Sequence, residues 1–78
     1  MTETSLADCK KGDKLIIKHI DDIPLSVQLY CMGCIPGEHI IVERIAPFGD
    51  PILISVEDSF ISLRKKDAAL LKVKFIEN

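Results

Sequence analysis

Cys31-Met32-Gly33-Cys34 sets two thiols at the two-residue spacing of metal-binding and redox pairs, and Cys9, His19 and His39 are further soft or borderline ligands. A structural metal centre needs four ligands, and one pair supplies two. Cys31 falls on a helix and Cys34 beyond the glycine that ends it, a geometry that turns the two sulfurs apart. Cys31 and Cys34 are therefore weak metal candidates, packing or bystander thiols are the simpler expectation, and no cofactor is expected.

Other polar groups offer less. His19 ends one expected strand and His39 begins the next, and neither has a carboxylate at recognisable spacing or a Ser or Cys nucleophile motif beside it. Asp21-Asp22 and Glu57-Asp58 have the positions of capping and turn residues. Gly49-Asp50-Pro51 lacks the glycine-rich cradle followed by Lys and Ser or Thr that a phosphate loop requires. No catalytic constellation emerges, and the chain is not expected to be an enzyme. Lys10-Lys11 and Arg64-Lys65-Lys66 could offer a basic rim to an acidic partner, although solvated turns carry such charges too.

The elements that position these residues follow from spacing. Asp21 or Asp22 can cap a helix over about residues 23–32, Pro24 suits its first turn, and Leu25, Leu29 and Met32 give it one buried face. Gly33 then fits a left-handed C-terminal cap, and Ile35-Pro36-Gly37 forbids helical continuation. Lys14 to Ile20 reads as a strand with Leu15 and Ile17 on one side. The run from Ile40 to Ala46, the turn Pro47 to Pro51, and the alternation of Ile52, Ile54 and Val56 read as a hairpin. Phe60 to Leu63 is a fourth strand, and Leu71 to Ile76 a fifth with Val73 and Phe75 inward; Ser5 to Cys9 and Lys65 to Leu70 are single helical turns. The fold class is mainly β: a small five-stranded barrel with one inserted short α-helix, because closing the sheet removes exposed edges. Periodicity alone also permits an open five-stranded sheet or another small barrel.

At 78 residues the chain is one domain, 1–78, burying roughly 60 to 65% of the surface of its unfolded form. Ten basic against twelve acidic residues leave no broad basic footprint for nucleic acid. No apolar run reaches the ~20 residues that cross a bilayer, and MTETSLADC has neither the positive nor the apolar region of an export signal, so a cytoplasmic protein without direct membrane insertion is expected. Three cysteines in a reducing compartment make no disulfide framework, leaving burial of Ile, Leu and Val to hold the fold.

Leu29, Gly33, Pro36 and Gly37 form an L-x-x-x-G-x-x-P-G pattern, Ala46 to Pro51 an AP-x-GDP loop, and Leu63-Arg64 with Ala68, Leu71 and Val73 a closing segment. In order and spacing these resemble the FeoA family, small cytosolic accessory proteins of bacterial ferrous iron uptake. The resemblance implies an SH3-like barrel whose structural motif is Leu29, Gly33, Pro36, Gly37, Pro51 and Ala68. It also implies a regulatory role exercised by contact with the cytosolic region of the FeoB transporter. Three departures stand out: Cys34 replaces an aliphatic residue, which suits a small buried hydrophobe; no Arg precedes Leu29; and Glu57-Asp58-Ser59 contains no Gly.

A small barrel without catalytic groups acts through its surface. The expected partner-binding residues are Gln28, Tyr30, Cys31, Ile35 and Pro36 on the helix and its corner, with Phe48, Gly49 and Asp50 on the loop. Tyr30 and Phe48 are the aromatic anchors unless the core claims them. Self-association through an unpaired strand edge is left open. The alternative is transition metal ion binding, as a Cys-dependent chaperone or as a metal-responsive domain similar to the C-terminal barrel of iron-dependent repressors. No helix-turn-helix segment accompanies it here.

Overall fold

In a computed structural model, residues 3–76 are described; the expected domain limits, residues 1 and 78, lie outside them. The described chain runs β1 (Thr4–Ser5), a 3-10 turn (Leu6–Asp8), β2 (Lys14–Ile20), α1 (Ile23–Tyr30), β3 (His39–Ile45), β4 (Ile52–Val56), β5 (Ser59–Leu63), α2 (Lys65–Ala68) and β6 (Leu71–Phe75). All strands join one antiparallel sheet in the order β1-β6-β2-β3-β4-β5.

The mainly β class and the one inserted helix are as the sequence predicts, but the described residues form six strands where five were expected. The additional strand, β1, is two residues paired to Val73 and Lys72 of β6, too short to show alternation of its own. Among the described residues no ladder joins β1 to β5, so the sheet is not closed by backbone hydrogen bonds. The segments that follow these two edges take over. The 3-10 turn packs against α2, Leu6 and Ala68 are both fully buried, and the Ser5 hydroxyl donates to the Ala68 carbonyl at 3.4 Å.

Alternation places Leu15 and Ile17, Ile40 and Val42, Ile52, Ile54 and Val56, Ile61 and Leu63, and Leu71 and Val73 in a single core, and α1 adds Leu25 and Leu29. Each large aliphatic removed from water stabilises the fold by about 1.5–3 kcal/mol. Bulges at Lys18 and Glu43 shift the register of β2 against β6 and of β3 against β4, bending both strands around that core. The Ser55 hydroxyl ties the second bulge by donating to Glu43 Oε2 at 2.7 Å.

Two expected inward residues are outside. Phe75 shares the face of Leu71 and Val73 yet is 51% exposed, because β1 reaches only as far as Val73 and leaves Phe75 a strand neighbour on one side. Met32 is 43% exposed because the helix ends at Tyr30, two residues sooner than its spacing suggests. Among the described residues, no helix is long and apolar enough to cross a membrane.

Candidate interaction surface

Helix α1 begins where Asp22 accepts the Leu25 amide at 2.9 Å, with Pro24 in its first turn. Its end explains the glycine motif. The Gly33 amide donates to the Tyr30 carbonyl at 3.1 Å and the Cys34 amide to the Leu29 carbonyl at 2.9 Å, with Gly33 at φ 84°. This is the paired 6→1 and 5→2 bonding of a Schellman cap, whose accompanying apolar contact joins the residue after the glycine to the last helical turn. Cys34 and Leu29, both fully buried, occupy those two positions. Pro36 then blocks further helix, and Gly37 at φ 95° donates to the Ile17 carbonyl at 2.8 Å, which seats the corner against β2 and launches β3.

Leu25 and Leu29 face the core, and the opposite face is apolar as well. Ile23, Val27 and Tyr30 recur at offsets of four and three and are 80%, 57% and 49% exposed. Met32 and Ile35 continue the patch, and Gln28, Cys31 and Pro36 are exposed beside it. From Ile23 to Gly37 there is no Asp, Glu, Lys or Arg. A helix apolar on both faces, with one of them open to solvent, is a candidate interaction surface.

The loop Ala46 to Pro51 is a separate patch. The corner enters β3 at His39 and the loop leaves it after Ile45, so seven strand residues, roughly 20 Å, lie between them. Phe48 is 97% exposed. Gly49, at φ 83°, lets its amide donate to the Ala46 carbonyl at 2.7 Å, and Asp50 Oδ1 accepts the Lys65 amide at 3.0 Å. Arg64, the residue before α2, makes no side-chain cap, so Asp50 caps that helix from a distant part of the chain. Two shallow clefts meet at Pro51 and Ser62, with Arg44 on one side and Arg64 on the other. Arg44 carried no signal in the sequence, because the bulge at Glu43, between Val42 and Arg44, decides where it points.

Cys31 is exposed, whereas Cys9 and Cys34 are buried. Burial pushes the Cys34 thiol up from 9.0 to about 11, with Glu38 adding to it. Burial also raises Cys9 to about 11, helped by Asp13 and Asp8. His19 lies between two carboxylates the spacing did not reveal, Nδ1 at 3.5 Å from Glu3 and Nε2 at 3.1 Å from Asp21, half exposed. His39 is exposed at the start of β3. Among the described residues, no three His, Cys, Asp or Glu side chains converge where a metal ion could sit.

The sequence profile of the FeoA domain matches residues 4–74. A fusion of Fe(2+) transport protein A with the Fe(2+) transporter FeoB from Porphyromonas gingivalis is 30% identical over 74 residues, which cover 94% of this chain and 9% of the fusion. The chain thus spans under a tenth of that curated relative's length. An FeoA-like protein from Clostridium acetobutylicum superposes with a TM-score of 0.87 at 28% identity, covering 100% of this chain and 93% of its own. A manganese-dependent transcriptional repressor shares the fold, with a TM-score of 0.84 at 17% identity over 95% of this chain and 42% of the repressor. The SH3-like architecture, the cap motif and the profile spanning nearly every described residue agree, and the chain belongs to the FeoA domain family.

Proposed function

We propose that this chain is a cytoplasmic binding module that regulates ferrous iron uptake by docking on the cytosolic region of a FeoB-type transporter, without turnover of its own. The observation that carries this is the uncharged segment Ile23–Gly37, which leaves Ile23, Val27, Tyr30, Met32 and Ile35 in solvent although α1 already has a buried face. The Porphyromonas relative joins both components in one polypeptide. Such tethering raises effective concentration and gives no benefit to proteins that do not meet. Tyr30 is the central anchor, flanked by Val27 and Ile35, with Gln28, Cys31 and Pro36 at the border. Phe48 is a second, separate contact, and Gly49 and Asp50 shape its loop.

A purified cytosolic region of a FeoB-type transporter, titrated with the chain, tests the assignment. Tyr30→Ala and Val27→Glu are expected to weaken binding by about tenfold or more each, since truncating a buried aromatic anchor costs about 2 kcal/mol. Cys31→Ser is expected to bind nearly as wild type. Binding that ignores both patch variants, or stoichiometric metal that disappears with Cys31→Ser, would overturn the reading in favour of a metal carrier.

A further inference from the structure

Among the described residues, strand β5 is bonded to β4 alone and forms one edge of the sheet. Glu57 and Asp58 make a two-residue turn between the partners Val56 and Ser59, and residues flanking such a turn exchange both backbone hydrogen bonds. Alternation then turns the backbone groups of Ser59, Ile61 and Leu63 toward β4, and those of Phe60 and Ser62 toward the edge. Among the described residues nothing bonds the Phe60 and Ser62 amides and carbonyls from that side. Natural edges are blunted by Lys, Pro or inward charge, and Ser59-Phe60-Ile61-Ser62-Leu63 has none of these. Phe60 is 68% exposed. Arg64 continues the extended backbone at φ −68°, ψ 147°.

The charges at the two ends of this edge select its occupant. Glu57 and Asp58 precede the uncharged segment, and Arg64, Lys65 and Lys66 follow it. A parallel neighbour of the same sequence would set like charges side by side. An antiparallel one centred on Ile61 sets opposite charges together. We propose that β5 is the pairing edge of a two-fold dimer, in which β5 of a second copy adds antiparallel about Ile61. Phe60 then lies opposite the partner's Ser62, so the edge amides and carbonyls of both meet in hydrogen-bonded pairs. Asp58 faces the partner's Arg64, Glu57 lies beside the partner's Lys65, and the two-fold axis repeats each contact. Sliding by two residues leaves Asp58 opposite a serine or pushes it past the end of the strand into α2. Sliding by one turns edge groups against groups already bonded to β4. Phe60 gains the partner's Phe60 and Arg64 as diagonal neighbours on the outer face, and two six-stranded sheets become one.

Sedimentation equilibrium of the purified chain from about 1 mM down to about 10 µM tests this, because a pairing of one short strand belongs to the weak end of interfaces. Wild type is expected to dimerise, less tightly as salt rises. Ser62→Pro removes an edge amide that β4 does not use, and Arg64→Asp sets Asp against Asp58 while supplying α2 with a capping residue; each should weaken the dimer about tenfold or more. Combining Asp58→Arg with Arg64→Asp restores opposite charges and should recover affinity to within about threefold of wild type. If Ser62→Pro fails to fold, the charge reversal and its rescue decide the matter. A wild-type chain that stays monomeric at the highest concentration, or a dimer indifferent to Arg64→Asp, would refute the pairing, the latter pointing to α1 as the self-contact. No transporter is present, so this outcome is independent of the docking described above.

Discussion

At Cys34 a residue type that suggests metal chemistry is absorbed by packing: its side chain fills the apolar position of the cap and its thiol is held neutral by burial. Native protein at about pH 8 should therefore present one fast thiol to a disulfide reagent, Cys31, with Cys9 and Cys34 reacting only on unfolding. The same burial sets a pH dependence. Both buried thiols titrate near 11 when folded and near 9.0 when unfolded, so between those values the folded state binds more protons. Their contribution is full below about pH 9 and is lost as pH rises toward about 11. Thermal melts across that window should show falling stability, and a Cys9→Ala/Cys34→Val variant should flatten the decline. A cysteine pair at two-residue spacing was legible in the sequence; that its sulfurs diverge was legible through the glycine between them, and that Cys34 packs inward through the aliphatic residue it replaces in the resembled family. The Glu3-His19-Asp21 arrangement was not legible, because Glu3 reaches His19 only through the folding of distant segments.

Elements stop and start here on single backbone conformations. Gly33 has φ 84° with no heavy atom within 4 Å of where a Cβ would stand, so Gly33→Ala carries a conformational cost and no clash. Its expected effect is a loss of about 1 kcal/mol, read as a lower denaturant midpoint at unchanged slope. Glu57 presents the opposite case, a non-glycine at φ 53° in the turn between β4 and β5. Glu57→Gly should relieve that strain and gain about 1 kcal/mol, raising the melting temperature by roughly 4–8 °C. Pro24, Gly33, Pro36 and Gly37 made the helix and its corner readable, since each acts on its own backbone. Met32 misled because helical periodicity was carried two residues past the cap, where the chain no longer follows helical phase and Cys34 takes the inward position. The capping of α2 by Asp50 links residues fifteen apart and left no local trace.

For the whole molecule the decisive region is the gap between β1 and β5, which among the described residues no backbone ladder spans and where the 3-10 turn packs on α2 instead. Leu6→Ala should cost about 2–5 kcal/mol by opening a cavity beside Ala68, lowering the melting temperature by more than any surface change while unfolding stays a single transition. A calorimetric scan would show whether that loss is shared by the whole core, as one continuous cluster requires. The sequence by itself determined the mainly β class, the placement of the long strands and α1, and most of the core, because alternation, helical spacing and glycine or proline chemistry act over a few neighbouring residues. Tertiary structure alone decided the strand β1, the exposure of Phe75, the separation of the α1 patch from Phe48, and the free edge of β5. Each of those depends on which segments become neighbours across the sheet, and pairing energies between distant residues leave no periodic mark on either segment alone.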